Sequence, residues 1–240
     1  MWLRVHSRFS HAVVPAMQQE DPGAPADCRI CGEAGNLVSP CSCRGTIGMV
    51  HADCVVREVV ARADPQDWRC SICRKEMTGD VCLVLGSAVA QALEVALGTG
   101  HPAVICAHNR DATLRLGAGQ YAGAVTAAER ALAGAEVAYG PKDSEAGCVL
   151  ANLGAALQGV GRHGDAAHHL ERAVVVLTSA CGERHHTVAM VWQNLAGVYQ
   201  GLGRREAARE LLQRAVKVFA LRSWTQPQLE RARQQLARLD

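Results

Sequence analysis

From residue 81 to the C-terminus, apolar and small positions recur at a fixed interval along the chain. Gly119, Gly161 and Gly203 form one evenly spaced set, Ala124, Ala166 and Ala208 a second, and Ala131, Ala173 and Ala215 a third with the same spacing. Gly98, Gly140 and Gly182 form a fourth, each opening a short polar connector. Within the last period, Trp192, Leu195, Ala196 and Tyr199 step by three, one and three, which places them on one helix face. Ala208, Leu212 and Ala215 do the same on the next helix. Each period therefore predicts an antiparallel helix pair, with small residues allowing close approach and Trp192, Tyr199 and Leu212 filling the space between pairs. Such a unit cannot bury its apolar face alone and must stack on its neighbours.

The middle period keeps this pattern through Leu150, Leu153, Gly154, Leu157, Ala166, Leu170 and Ala173. The first does not: His108, Asp111 and Arg115 stand where apolar residues are expected, which predicts a shifted helix or polar packing. Val81 to Leu97 aligns with the second helix of a pair and reads as a half-repeat. It holds Gln91 and Glu94 and falls short of the ~20 apolar residues a membrane span requires. No membrane span is expected. Thr225-Gln226-Pro227 reads as a helix start, and the helix to Leu239 turns Leu229, Ala232, Leu236 and Leu239 inward as a cap. The expected division is a helical array over residues 78–222 and a capping helix over 223–240.

The pattern stops upstream, where chemistry replaces it. Cys28, Cys31, Cys41, Cys43, His51, Cys54, Cys70 and Cys73 lie in four close pairs. Eight thiolate or imidazole donors complete two tetrahedral shells for zinc. Close spacing brings two donors to one ion through a single tight turn, which the intervening glycines suit. A disulfide framework would need an oxidising compartment, and no secretory signal is present. Seven of the eleven cysteines used this way point to the cytoplasm or nucleus. The other four, Cys82, Cys106, Cys148 and Cys181, lie in alanine-rich helical sequence and read as small buried apolar residues. Residues 1–26, ending in QQEDPGAPA, have the composition of a disordered tail and linker. Net charge is +2 and the zinc stretch is near neutral. That disfavours nucleic acid as a partner.

The order and gaps of the metal-binding residues resemble RING-CH domains over residues 28–73. Ser42 alone separates Cys41 from Cys43, and a longer gap leads to His51. PHD fingers, the other family with this ligand order, place more residues between the third and fourth ligands. The repeats resemble tetratricopeptide repeats of the longer kind found in kinesin light chains. The fold class so implied is a small zinc-stabilised RING-CH domain (cross-brace, α+β, residues 27–77) followed by an all-α tetratricopeptide solenoid.

The resemblance further implies an interleaved arrangement: Cys28, Cys31, His51 and Cys54 on one zinc ion, Cys41, Cys43, Cys70 and Cys73 on the other. Spacing alone leaves two sequential sites open. It implies a RING-type ubiquitin ligase, whose zinc module docks a ubiquitin-charged conjugating enzyme and whose repeats recruit a protein or peptide substrate. Such ligases form no covalent intermediate, and accordingly no catalytic nucleophile is assigned. Ile30 takes the position that contacts the conjugating enzyme, and Arg74 the position that bridges it to ubiquitin. Arg110, Asn152 and Asn194, each one period from the next, fall on the first-helix face that lines a peptide groove. Glu58 departs from the pattern, since RING-CH domains commonly carry tryptophan four residues after the sixth ligand. The alternatives are a non-catalytic zinc-finger and repeat scaffold, and a PHD-like peptide reader.

Overall fold

The computed structural model describes residues 27–38, 49–62, 69–75, 81–221 and 225–239. The tail expected over residues 1–26, together with Cys41 and Cys43, lies outside them. Two short strands open the chain, β1 (Leu37–Val38) and β2 (Val50–His51). They pair antiparallel, with Leu37 opposite His51 and Val38 opposite Val50. Helix α1 (Ala52–Val60) follows directly. His51 sits at its N-cap in extended backbone without a side-chain cap bond, so its imidazole is left for other work.

Eight helices follow among the described residues: α2 (Val81–Leu97), α3 (Pro102–Gly117), α4 (Tyr121–Ala138), α5 (Ser144–Gly159), α6 (His163–Cys181), α7 (His186–Gly201), α8 (Arg205–Phe219) and α9 (Gln226–Ala237). They pack in chain order, each against its neighbours. The period reappears in the connectors. All six glycines at 98, 140, 182, 119, 161 and 203 have positive φ, the left-handed backbone that lets a helix end and the chain reverse. His101, Asp143 and His185, again one period apart, cap α3, α5 and α7. Each accepts a bond from the backbone N–H two residues on, at 3.2, 2.8 and 3.3 Å.

Trp192, Leu212, Ala196, Ala208 and Ala215 are buried as the pattern requires. Fully burying a large apolar side chain is worth about 1.5–3 kcal/mol, so the array is held by surfaces that successive helix pairs share. The cap turns Leu229, Ala232 and Leu239 inward, with Leu236 half-buried against the same core. One expectation needs correcting. Cys82 is buried, but Cys106 and Cys148 are half-buried, and Cys181 is exposed at the last turn of α6.

The first repeat is not shifted in register; it is packed on polar groups. His108 Nε2 lies 3.0 Å from Glu94 Oε2 on α2, and Arg115 Nε donates to both oxygens of Asp111 at 3.0 and 3.1 Å. Burial pushes the Asp111 carboxyl pKa up, while Arg115 and His108 pull against it. The zinc stretch is not separate from the array. Val55 and Val59 of α1 share one apolar cluster with Leu85, Val89 and Leu93 of α2 and Val104 and Ala107 of α3.

Candidate metal centre and the surface around it

Two turns of the same construction carry the outer cysteine pairs. In Cys28-Arg29-Ile30-Cys31-Gly32, the Gly32 N–H donates to the Cys28 carbonyl at 2.7 Å and the Cys28 N–H to the Glu33 carbonyl at 2.9 Å. In Cys70-Ser71-Ile72-Cys73-Arg74, the Arg74 N–H donates to the Cys70 carbonyl at 3.0 Å and the Cys70 N–H to the Lys75 carbonyl at 2.9 Å. Both turns close on left-handed backbone, φ 75° at Gly32 and φ 58° at Arg74. Glycine takes that conformation freely, whereas any other residue is penalised there by about 1–2 kcal/mol. Among the described residues Arg74 alone accepts that cost.

The hairpin delivers His51 to the first turn. Gly35 makes room for it: a Cβ there would lie 2.9 Å from His51 Nε2. The imidazole therefore faces the thiols through Nδ1, 3.4 Å from Cys31 Sγ and 3.9 Å from Cys54 Sγ. Cys54 is contributed by the first turn of α1. The donor atoms of Cys28, Cys31, His51 and Cys54 all lie within 4.8 Å of one another. A tetrahedron with Zn–S of ~2.3 Å and Zn–N of ~2.0 Å has edges of roughly 3.5–3.8 Å, so this set fits a zinc ion. The four residues assigned to one ion are thus brought together. Cys70 and Cys73 share the second turn, while their expected partners Cys41 and Cys43 lie outside the described residues.

The surroundings favour thiolate. Burial alone would raise the Cys28 pKa, but backbone N–H groups of Cys31, His51 and Ile30 outweigh it and bring the thiol down to about 6. The His51 N–H to Cys28 Sγ contact is 3.4 Å. Burial, then the Cys31 and Cys28 sulfurs, push Cys54 up, against the Arg57 guanidinium 3.3 Å from its sulfur. Crowded thiols of this kind resist ionising together until a cation sits among them.

A polar network ties the two turns to α1. Arg29 donates to Ser71 Oγ at 3.3 Å, and Glu58 pairs with Arg62 at 3.0 Å and with Arg29 at 3.6 Å. Arg62 also donates to the Arg69 carbonyl at 2.7 Å. Glu58 therefore acts as the hub between one cysteine turn and the other. Burial would raise its pKa, yet hydrogen bonds from Ser71 and Arg62 and the Arg29 charge hold it below the ordinary carboxylate value. A depressed pKa stabilises the fold fully above the ordinary carboxylate range, and the effect fades as pH falls through the folded value. Glu58→Gln should accordingly lower stability by about 1–2 kcal/mol at pH 7, the scale for half-buried bonds to a charged group. Equal denaturant midpoints for the two proteins at pH 7 would show that the hub holds nothing.

Around this hub the turns present matching apolar tips. Ile30 is 40% exposed and Ile72 49%, each immediately before the second cysteine of its pair. Arg74 is exposed beside them in the chain. Ile72 was not among the sequence-assigned contacts, although the parallel between Cys-Arg-Ile-Cys and Cys-Ser-Ile-Cys is legible in the sequence. On the array, Arg110, Asn152 and Asn194 are all half-buried. Asn152 reaches back one repeat, its Nδ2 donating to Asn109 Oδ1 at 2.7 Å and contacting Thr113 Oγ1 at 3.3 Å. Gln193 likewise donates to Gln235 of the cap at 2.9 Å.

Comparison with known proteins finds both kinds of module in the chain. The RING-variant domain model matches residues 28–73, and the tetratricopeptide repeat model matches residues 104–174 and 145–220. No curated protein matches the chain. Among solved structures, the nearly identical TPR-like repeats of a Podosopora anserina protein described as a putative kinesin light chain align with a TM-score of 0.54 at 24% identity, covering 65% of this chain and 75% of that one. A Q17M form of the same protein gives 0.56 at 23%, covering 65% and 74%. BtubC (BKLC) from P. vanneervenii gives 0.55 at 15%, covering 78% and 80%. At these identities the likeness concerns the fold. Among the described residues no helix is long and apolar enough to cross a membrane.

Proposed function

Because the chain joins a RING-variant domain at residues 28–73 to tetratricopeptide repeats at residues 104–220, we propose that it is a RING-type ubiquitin ligase. The zinc module docks a ubiquitin-charged conjugating enzyme and the repeats hold the protein to be modified. The observation that carries this reading is the pair of matched cysteine turns, which hold Ile30 and Ile72 outward on one rigid scaffold with Arg74 following the second. Two zinc ions are structural in this scheme. The first is held by Cys28, Cys31, His51 and Cys54, the second by Cys41, Cys43, Cys70 and Cys73. Catalysis is then a matter of orienting the partner's thioester, a proximity effect, and needs no nucleophile on this chain.

Substrate recruitment falls to the first-helix face with Arg110, Asn152 and Asn194. The Asn152 amide N–H groups, engaged by Asn109 and Thr113, leave its carbonyl oxygen to meet an extended peptide. A reducing compartment, cytoplasm or nucleus, suits a chain that uses its clustered cysteines as metal-binding thiols.

A second reading, a non-catalytic scaffold, is favoured by Glu58, where a charged hub stands in place of tryptophan. Self-ubiquitination with the zinc-loaded full chain and a broad panel of conjugating enzymes separates the two. The expected result is conjugate formation with at least one enzyme of the panel. No conjugates with any of them, from protein shown to be folded, would leave the scaffold.

A further inference from the structure

On the array, two clefts repeat one helix pair apart. One, of about 430 Å³, lies between the α4–α5 connector and α6, with Lys142, Arg172, Val175 and Val176 among its walls. The other, of about 300 Å³, lies between the α6–α7 connector and α8, with Arg184, Arg214, Lys217 and Val218 in the corresponding places. Lys142 and Arg184 are one period apart, as are Arg172 and Arg214, and Val176 and Val218. The repeat thus rebuilds one chemical arrangement: a connector cation, a second-helix arginine and an apolar floor.

The charges are unequal. The two clefts are walled by five Lys or Arg side chains (Lys142, Arg172, Arg184, Arg214 and Lys217) against two carboxylates, Glu171 and Glu183. Both carboxylates are already engaged: Glu183 pairs with Arg214 at 3.2 Å, and Glu171 accepts from Tyr199 at 2.8 Å. Arg172 in turn pairs with Glu136 at 2.8 Å, so the available charge is that of the other three cations. Lys142, Arg184 and Lys217 are exposed and have no ion-pair or hydrogen-bond partner among the described residues. Apolar surface lies open beside them, with Val175 69% and Leu221 63% exposed. In the second cleft the Arg214 guanidinium stacks 4.2 Å from the Trp192 ring centre. The Trp192 indole N–H is buried without a partner among the described residues.

This surface is not the peptide groove proposed above. Successive helical residues turn by about 100°, so Asn194 points about 200° around α7 from Trp192. Whatever binds the clefts meets the opposite side of that helix.

We propose that these paired clefts form a second docking surface, for an extended polypeptide segment in which acidic residues alternate with aliphatic ones. Carboxylates meet Lys142, Arg184 and Lys217, beside second-helix arginines whose planar forks already hold Glu136 and Glu183. Aliphatic side chains enter the two clefts. Charge complementarity selects an acidic partner, and the concave apolar floors select a chain with side chains to insert over a flat anionic membrane. The surface ends at the first repeat. There Arg130 matches Arg172 and Arg214 by position, but the connector holds Thr99 and Gly100 instead of a cation. The inference needs only a folded array and does not depend on ligase activity.

The test uses the full chain and fluorescein-labelled twelve-residue peptides of alternating Glu and Leu, with matched Gln/Leu and Glu/Ser controls, read by anisotropy. Wild type should bind the Glu/Leu peptide at least tenfold more tightly than either control, and more weakly as salt rises. The triple variant Lys142→Glu, Arg184→Glu, Lys217→Glu changes only exposed side chains and should lose at least tenfold, with its thermal unfolding unchanged. Val175→Ser with Leu221→Ser should lose severalfold. Equal binding of Glu/Leu and Gln/Leu peptides overturns the proposal. So does a charge-reversal loss with no effect of the apolar pair, which would mean diffuse attraction without clefts. Sedimentation with phosphatidylserine vesicles, without discrimination among the peptides, would assign the surface to a membrane instead.

Discussion

Cys31→Ser should unfold residues 27–75 and loosen α2, while α5 to α8 keep their structure. Cys31 is exposed, so the substitution removes one of the four clustered donor groups and almost no packing. Zinc binding in small finger modules contributes ~10–16 kcal/mol, and in such modules that energy is folding energy. Among the described residues the apolar core of the zinc stretch is slight: Val50, Val55 and Val59, with the buried sulfurs of Cys28, Cys54 and Cys70. Without the ion, the first cysteine turn keeps slight ties to α1 among the described residues, the 3.6 Å Arg29–Glu58 pair and the packing of Cys28. The damage reaches further because Val55 and Val59 cover Leu85, Val89 and Leu93 of α2. Repeat arrays pass stability from neighbour to neighbour, so the loss should fade beyond α3. Hydrogen exchange checks this together with zinc content, which should drop by one ion or more per chain. Fast exchange over residues 27–75 and 81–97 is expected, with protection kept over residues 144–219. Unchanged exchange over residues 27–75 would mean that packing and not metal holds the module. Collapse through α8 would mean that the whole chain folds as one unit.

What the sequence made legible was whatever repeats or clusters locally. The repeat period placed the helices and their connectors because each repeat solves one packing problem in one way. The limits of α2 were readable in the same way, and the start of α9 from the helix-start signal Thr225-Gln226-Pro227. The four residues of the first metal site lie in two close pairs, although their convergence rested on resemblance and not on spacing. Contacts between residues far apart in the chain were hidden. The polar residues of the first repeat were visible as a breach of pattern, but their partner Glu94 lies on another helix. Glu58 was visible as a departure from the RING-CH pattern. Its role as a hub needed the approach of Arg29 and Ser71, which sit on the two cysteine turns and not on α1. The paired clefts were missed because each joins a connector to a second helix across the whole intervening first helix, and no single helix face displays the combination.

The backbone at Arg74 permits an unusually clean test of the proposed activity. A residue at φ 58° would normally be replaced by glycine with a gain of roughly 1 kcal/mol. An arginine kept at that cost is accounted for if its side chain does something glycine cannot. Arginine's planar fork can donate to carbonyl groups on two partners at once, which is what holding ubiquitin against its conjugating enzyme requires. Arg74→Gly should therefore raise the denaturant midpoint of the zinc module while slowing single-turnover discharge of ubiquitin to free lysine by tenfold or more. Binding of the conjugating enzyme should change by less than a factor of three. Ile30→Ala and Ile72→Ala should show the converse pattern. Each removes an exposed apolar tip and should weaken binding by threefold to tenfold, with saturating enzyme restoring discharge. A variant that is more stable and less active cannot owe its defect to misfolding, so the glycine substitution is the informative one. Equal discharge by wild type and Arg74→Gly would remove Arg74 from the mechanism. It would leave the left-handed arginine explained only by its hydrogen bond to the Cys70 carbonyl, which glycine makes equally well in the first turn.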